Sequence, residues 1–212
     1  MTAAAERRAP QRGDRRRAAL LVSLDQLLQD GASSLDSINI ADISRRAGVT
    51  RSAFYFYFEN KAAAVAALME QLYDEAFVAT GVLVGDGEPR ARVEETIRGL
   101  FAAWDRHEHL YRAMLEARAT SPAVRDMWES DRQSFVAPVA AMIEAERSAG
   151  RAPAGPDAVA LATVLLELND RALERLALGG PLTREQHVEA VVHIWLSTIY
   201  GALPQPTQED AR

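Results

Sequence analysis

The sequence predicts an all-α protein of about nine helices, on three observations. No segment sustains the alternation of apolar and polar residues that a half-buried strand requires. β-branched residues never cluster between turn signals. Apolar side chains instead recur at helical spacing, and good capping residues stand at the starts of the runs.

Taken in order, a first helix is expected over 14–30. Its Leu20, Leu21, Leu24, Leu27 and Leu28 fall on one face, and Gly31 ends it. Asn39 suits the N-cap of a short helix over 40–47, with Asp42 placing a carboxylate in its first turn. Gly48 makes the turn, Thr50 caps a helix over 51–57, and Asn60 caps a long one that starts at Lys61. Gly81, Gly85 and Gly87 with Pro89 break the chain. Further helices are expected over 91–106, 109–119 and 122–149. After a Gly/Pro loop at 150–156, two more cover 157–178 and 183–200, separated by Gly179-Gly180-Pro181. The polar tail 204–212 is expected to be disordered.

Charge divides the chain. The net charge of −6 hides a balance of +3 over residues 1–61 and −9 over 62–212. In the first stretch Arg7, Arg8, Arg12, Arg15, Arg16 and Arg17 face only Glu6 and Asp14. A basic arm (1–13) leading into a small basic module is an electrostatic footprint for phosphate. There is no cysteine, which excludes disulfides and thiolate metal sites and fits a reducing cytoplasm. No stretch approaches the roughly 20 apolar residues of a membrane span, so no membrane association is expected.

Residues 38–58, INIADISRRAGVTRSAFYFYF, meet the needs of a helix-turn-helix, in which a bracing helix holds a second one in the DNA major groove. Ile40, Ile43 and Ala47 give the bracing helix an inner face, and Ala47-Gly48-Val49 supplies a small residue, a turn glycine and an apolar plug. Thr50, Arg51 and Ser52 then stand at the start of the reading helix. Arg51 suits guanine through two hydrogen bonds, and the hydroxyls are short, adaptable donors. Tyr55 and Tyr57 offer hydroxyls to phosphates, while Phe54 and Phe58 face inward. Lys61, the one lysine of the chain, sits in a first helical turn where the dipole disfavours an ammonium. A DNA phosphate is the expected compensation.

With the motif ADISRRAGVTRSAFYFYFENKAAAVAAL in view, the chain resembles the TetR family of repressors over its whole length. The stretches ARATSPAVRDMW (117–128), AAMIEAERSAGRAP (140–153), ALATVLLELNDR (160–171) and VVHIWLSTIYG (191–201) look close to its ethionamide-resistance-repressor subgroup. The resemblance implies a helix-turn-helix module over 14–60 and a ligand-binding and dimerisation domain over 61–203. It implies a homodimeric repressor of a double-stranded DNA operator, released when a small hydrophobic effector moves the DNA-binding modules out of register. Carried over by position, the DNA contacts are Thr50, Arg51, Ser52, Tyr55, Tyr57 and Lys61, with Ile40 and Ala41 near the backbone. Phe56 stands where most members carry a tyrosine.

Trp104, Trp128, Phe135 and Trp195 are large aromatics spread over the expected helices of the acidic part, material for a small-molecule pocket or for a core. By resemblance, Leu100, Trp104, Trp128, Phe135, Asn169 and Trp195 line a long hydrophobic cavity. The subgroup usually has tryptophan at Phe135 and a second asparagine at Leu166, so the pocket here is less polar. Asn169 sits in an apolar run, where an amide needs a partner. A ligand carbonyl or amide could supply one, and so could a neighbouring backbone group. The last two helices carry more than one apolar stripe, and a two-fold interface would use the surplus.

Catalysis finds no support. His107 and His109 are two apart and point to different faces, no HExxH or glycine-rich phosphate loop occurs, and there is no GxSxG nucleophile. No metal or cofactor is expected. A DNA-binding regulator without a small-molecule input is the other reading. The size and aromatic content of residues 90–200 speak against it, whereas nothing in a helix-turn-helix distinguishes a repressor from an activator.

Overall fold

The computed structural model describes residues 12–31, 34–80 and 88–201. The expected arm up to residue 11, the glycine-marked break at 81–87 and the tail 204–212 lie outside the described residues. Ten α-helices and one 3₁₀ turn make up the described chain: α1 (Arg12–Gln29), the turn Leu35–Ser37, α2 (Ile40–Arg46), α3 (Arg51–Tyr57), α4 (Lys61–Thr80), α5 (Pro89–Arg106), α6 (Glu108–Thr120), α7 (Pro122–Ser134), α8 (Val136–Ser148), α9 (Ala158–Ala177) and α10 (Arg184–Tyr200). The described residues form no strand, and none of their helices is long and apolar enough to cross a membrane.

Caps set most of the boundaries. The side chains of Asn39, Thr50 and Asn60 accept hydrogen bonds from the amides of Ala41 (2.9 Å), Ala53 (3.2 Å) and Ala63 (2.9 Å). Each satisfies an amide that the first helical turn leaves without an internal partner. Thr183 and Gln186 form a reciprocal capping box at the start of α10. Helix α5 starts two residues earlier than expected because Pro89 is suited to a first helical turn and Glu88 caps it.

One expected element divides. The helix anticipated over 122–149 is interrupted at Phe135, between α7 and α8. Pro138 explains the break. It lacks the N–H that would bond the Ser134 carbonyl, and its ring crowds that carbonyl. Phe135 closes the gap as a turn, donating to Arg132 O at 3.2 Å and accepting from the Val139 amide at 3.3 Å.

In α1, Leu20, Leu21, Leu24 and Leu28 are buried together with Ile43 of α2, Phe54 of α3 and Val65 of α4. Burying a side chain of this size stabilises by about 1.5–3 kcal/mol, which is how helices as short as α2 and α3 hold. Helix α4 carries this unit onto α6 and α7, while α6 also touches α1, α5 and α9. Phe101, Met114, Val139 and Ile143 fill the second half of the core. The carboxylate of Glu146 is buried there and held by Arg151 through two 2.9 Å bonds, with Arg92 at 3.6 Å. Hydrogen bonding to Arg151 lowers its pKa against the opposing effect of burial.

Candidate nucleic-acid interface and effector site

The turn between α2 and α3 is set by Gly48, whose φ of +66° is left-handed and favours glycine. The Val49 amide reaches back to Ser44 O (2.9 Å) and the Gly48 amide to Arg45 O (3.2 Å), a two-bond closure of the helix C-terminus. Val49 packs against the core as expected. Helix α3 then buries Phe54 and, just past its end, Phe58, whose ring centroids lie 5.6 Å apart. That seating turns Arg51, Ser52, Tyr55 and Phe56 outward. The Arg51 guanidinium donates to the Tyr55 hydroxyl at 3.3 Å and lies 5.7 Å from its ring centroid. Thr50 and Ala41 are also exposed, whereas Ile40 and Tyr57 are half-buried against the core.

Lys61 departs from its expected explanation. Its ammonium donates to three backbone carbonyls, Leu35 at 2.7 Å, Ile38 at 2.9 Å and Asp36 at 3.1 Å. The Asp36 carboxylate lies at 4.0 Å. An ammonium has three donors, and all three are used inside the protein. The cost of its place at a helix start is offset by tying the 3₁₀ turn down ahead of α2.

The residues expected to line an effector pocket lie on four helices and one junction: Leu100 and Trp104 on α5, Trp128 on α7, Phe135 between α7 and α8, Asn169 on α9 and Trp195 on α10. Trp104, Trp128, Asn169 and Trp195 are buried, while Leu100 and Phe135 are half-buried. Asn169 finds its partner in a side chain, since its Oδ1 accepts from the Trp195 indole N–H at 2.9 Å. Tyr111 of α6, not anticipated from the sequence, joins Trp104 and Trp128 into one aromatic file, with centroids 6.4 and 5.5 Å apart and steeply inclined rings. Beside it Arg118 lies over the Trp128 ring at 5.1 Å.

Among the buried polar atoms of this half, Trp104 Nε1, Tyr111 Oη and Thr96 Oγ1 have no hydrogen-bond partner among the described residues. Burial pushes the Tyr111 hydroxyl far above the ordinary phenol range, which keeps it a neutral donor. Two clefts open at the surface. One, of about 520 Å³, lies between α1, the 3₁₀ turn and α6 and is lined by Leu28, Leu35, His109, Arg112 and Glu116 among others. The other, of about 450 Å³, has Trp128 at its base under Arg118, Arg132, Glu167 and Asp170. Trp104, Asn169 and Trp195 line neither.

A glycine-turned pair of short capped helices on an all-helical body with an aromatic interior defines the helix-turn-helix class of regulator. Residues 33–68 match the family model for bacterial regulatory proteins of the tetR family, and residues 93–201 match that for the C-terminal domain of the transcriptional regulator EthR. The chain is 35% identical over 194 residues to the HTH-type transcriptional regulator EthR of Mycobacterium tuberculosis (strain ATCC 25618 / H37Rv), covering 89% of each chain. It is 34% identical to the EthR of Mycolicibacterium smegmatis over 98% of this chain and 100% of the relative. The protein therefore belongs to the TetR family of transcriptional regulators, with an EthR-type C-terminal domain. Solved structures share the fold at lower identity. A TetR-family regulator from Mesorhizobium loti superimposes with a TM-score of 0.68 at 18% identity, covering 89% of this chain and 98% of that one. The regulator FadR of Bacillus subtilis, solved with stearoyl-CoA, gives 0.68 at 12% identity, with 88% and 99% covered.

Proposed function

We propose that this regulator is a dimeric repressor that reads a palindromic operator with α3 and is released by a small lipophilic effector. The observation that carries the reading is the outward face of α3, where Arg51, Ser52, Tyr55 and Phe56 stand exposed on a firmly seated frame. Thr50, Ala41, Ile40 and Tyr57 flank that face as backbone contacts. Lys61 acts through the 3₁₀ turn it holds.

Residues 14–60 form the DNA-binding module and 61–203 the sensing and dimerising part. The effector occupies the region of Leu100, Trp104, Trp128, Phe135, Asn169 and Trp195. Support comes from the buried Trp104, Tyr111 and Thr96 polar atoms that lack a partner among the described residues, each costing about 1–3 kcal/mol until something pairs with it. A long-chain ligand bearing a carbonyl would pair with one or two of these donors, and the structural neighbour solved with stearoyl-CoA has the same fold. The dimer forms across α9 and α10, whose Val164 and Ile194 are large apolar side chains left exposed, as a two-fold helical interface requires.

Selection from a random duplex library with the purified protein should yield a palindrome, and lipophilic esters, ketones and amides should raise Tm and release that duplex. Ile194→Glu should convert the dimer to a monomer and abolish tight binding. A selection without enrichment overturns the operator reading. A panel in which no compound stabilises the protein or frees the duplex overturns the sensor reading.

A further inference from the structure

Phe56 is 81% exposed, the most exposed of the large hydrophobic residues among those described. It lies in the second turn of α3, and its ring stands edge-on to that of Tyr57, with centroids 4.9 Å apart and planes at 88°. Nothing in the fold accounts for it. Phenylalanine is a mediocre helix former, and a polar residue here would cost the packing nothing.

Two neighbouring groups on this face already have partners within the helix. Thr50 uses its hydroxyl oxygen as the helix cap, and Arg51 is paired with the Tyr55 hydroxyl and ring. Ser52 and Phe56 are four residues apart and so form one stripe along the outward side of the helix. A helix laid in the major groove presents such a stripe to base edges. A small hydroxyl followed one turn later by an aromatic ring suits a polar base edge followed by an apolar group. The one apolar group that the major groove displays is the C5 methyl of thymine.

We propose that Phe56 is a specificity-determining residue that packs on a thymine methyl in each operator half-site. The inference rests on the operator reading above and deepens it. The ring gains by covering a methyl group and loses little conformational freedom, because it has two side-chain torsions. The chain thereby gains sequence information at the position where a tyrosine hydroxyl would have given a sequence-independent phosphate bond.

The test uses the full chain and the duplex it selects, with each thymine replaced in turn by deoxyuridine, which removes only the methyl. Wild-type protein should lose about fourfold in affinity at one thymine per half-site (~0.8 kcal/mol for a buried methyl-sized group), and about sixteenfold when both half-sites are changed. Phe56→Ala should bind the thymine duplex about as weakly as wild type binds the uracil duplex and be indifferent to the replacement. Phe56→Leu should retain part of the sensitivity. Equal methyl sensitivity in wild type and Phe56→Ala, or loss of affinity in Phe56→Ala without methyl sensitivity in wild type, overturns the assignment while leaving operator binding intact. Failure of the full chain to select any duplex overturns both.

Discussion

The indole N–H of Trp195 on α10 and the side-chain carbonyl of Asn169 on α9 are joined by a buried 2.9 Å hydrogen bond across 26 residues of chain. Removing one partner of such a bond leaves the other desolvated and unpaired, at about 1–3 kcal/mol. Asn169→Leu should therefore lower stability by that amount in urea unfolding while leaving operator affinity unchanged, and it should alter the response to effector. Adding Trp195→Phe should cost clearly less than the sum of the two single changes, because no polar group is then stranded. Strict additivity would show that the bond contributes nothing.

Local signals were readable, and non-local ones were not. Asn39, Gly48, Thr50, Asn60 and Thr183 act within a few residues of themselves, so their caps and turns follow from residue type. Leu20, Leu21, Leu24 and Leu28 are buried at the spacing their periodicity announces. The break at Phe135 was signalled by Pro138, but the apolar pattern runs on through it. The internal partners of Lys61 are invisible in the sequence because they are backbone carbonyls 23–26 residues upstream, and carbonyls carry no residue identity. The Tyr111 file and the Asn169–Trp195 bond join residues of different helices, which periodicity cannot reveal.

Lys61→Met tests the internal role of the ammonium. Loss of its hydrogen bonds to carbonyls should destabilise the fold by roughly 1.5–3 kcal/mol. Operator affinity should fall as the 3₁₀ turn loosens, but the slope of log K against log salt should stay the same, since no phosphate contact is lost. A flatter slope with unchanged Tm would identify Lys61 as a phosphate ligand instead.

Asp170 gives a pH dependence. Burial raises its pKa from 3.8 to about 6, against the opposing pull of Arg132 and Arg118. Between those values the folded state holds more protons than the unfolded one, so this group's contribution to stability falls as pH rises through that window. Asp170→Asn removes the charge. It should raise stability by about 1–2 kcal/mol at pH 7, allowing for the partly exposed side chain, and by little at pH 4. A gain of equal size at both values would mean the carboxylate's ionisation is not the cause.

His109 and Glu116 lie seven residues apart, two turns along the same face of α6, and both grip the DNA-binding module. His109 Nε2 is 2.8 Å from the Asp25 carboxylate of α1, and Glu116 accepts from the Leu35 amide at 2.7 Å. These polar contacts flank the cleft between α1 and α6, so a shift of α6 reaches α1 and the 3₁₀ turn through them. His109→Ala and Glu116→Ala should each leave effector affinity in the absence of DNA, and operator affinity in the absence of effector, within about twofold. The factor by which effector weakens operator binding should shrink about fivefold, a coupling loss on the order of 1 kcal/mol. Because coupling is reciprocal, operator DNA should weaken effector binding by the same reduced factor. Titrating each ligand with and without the other measures both factors. Coupling of wild-type size in the double variant would mean that the signal passes through the continuous helix α4 alone.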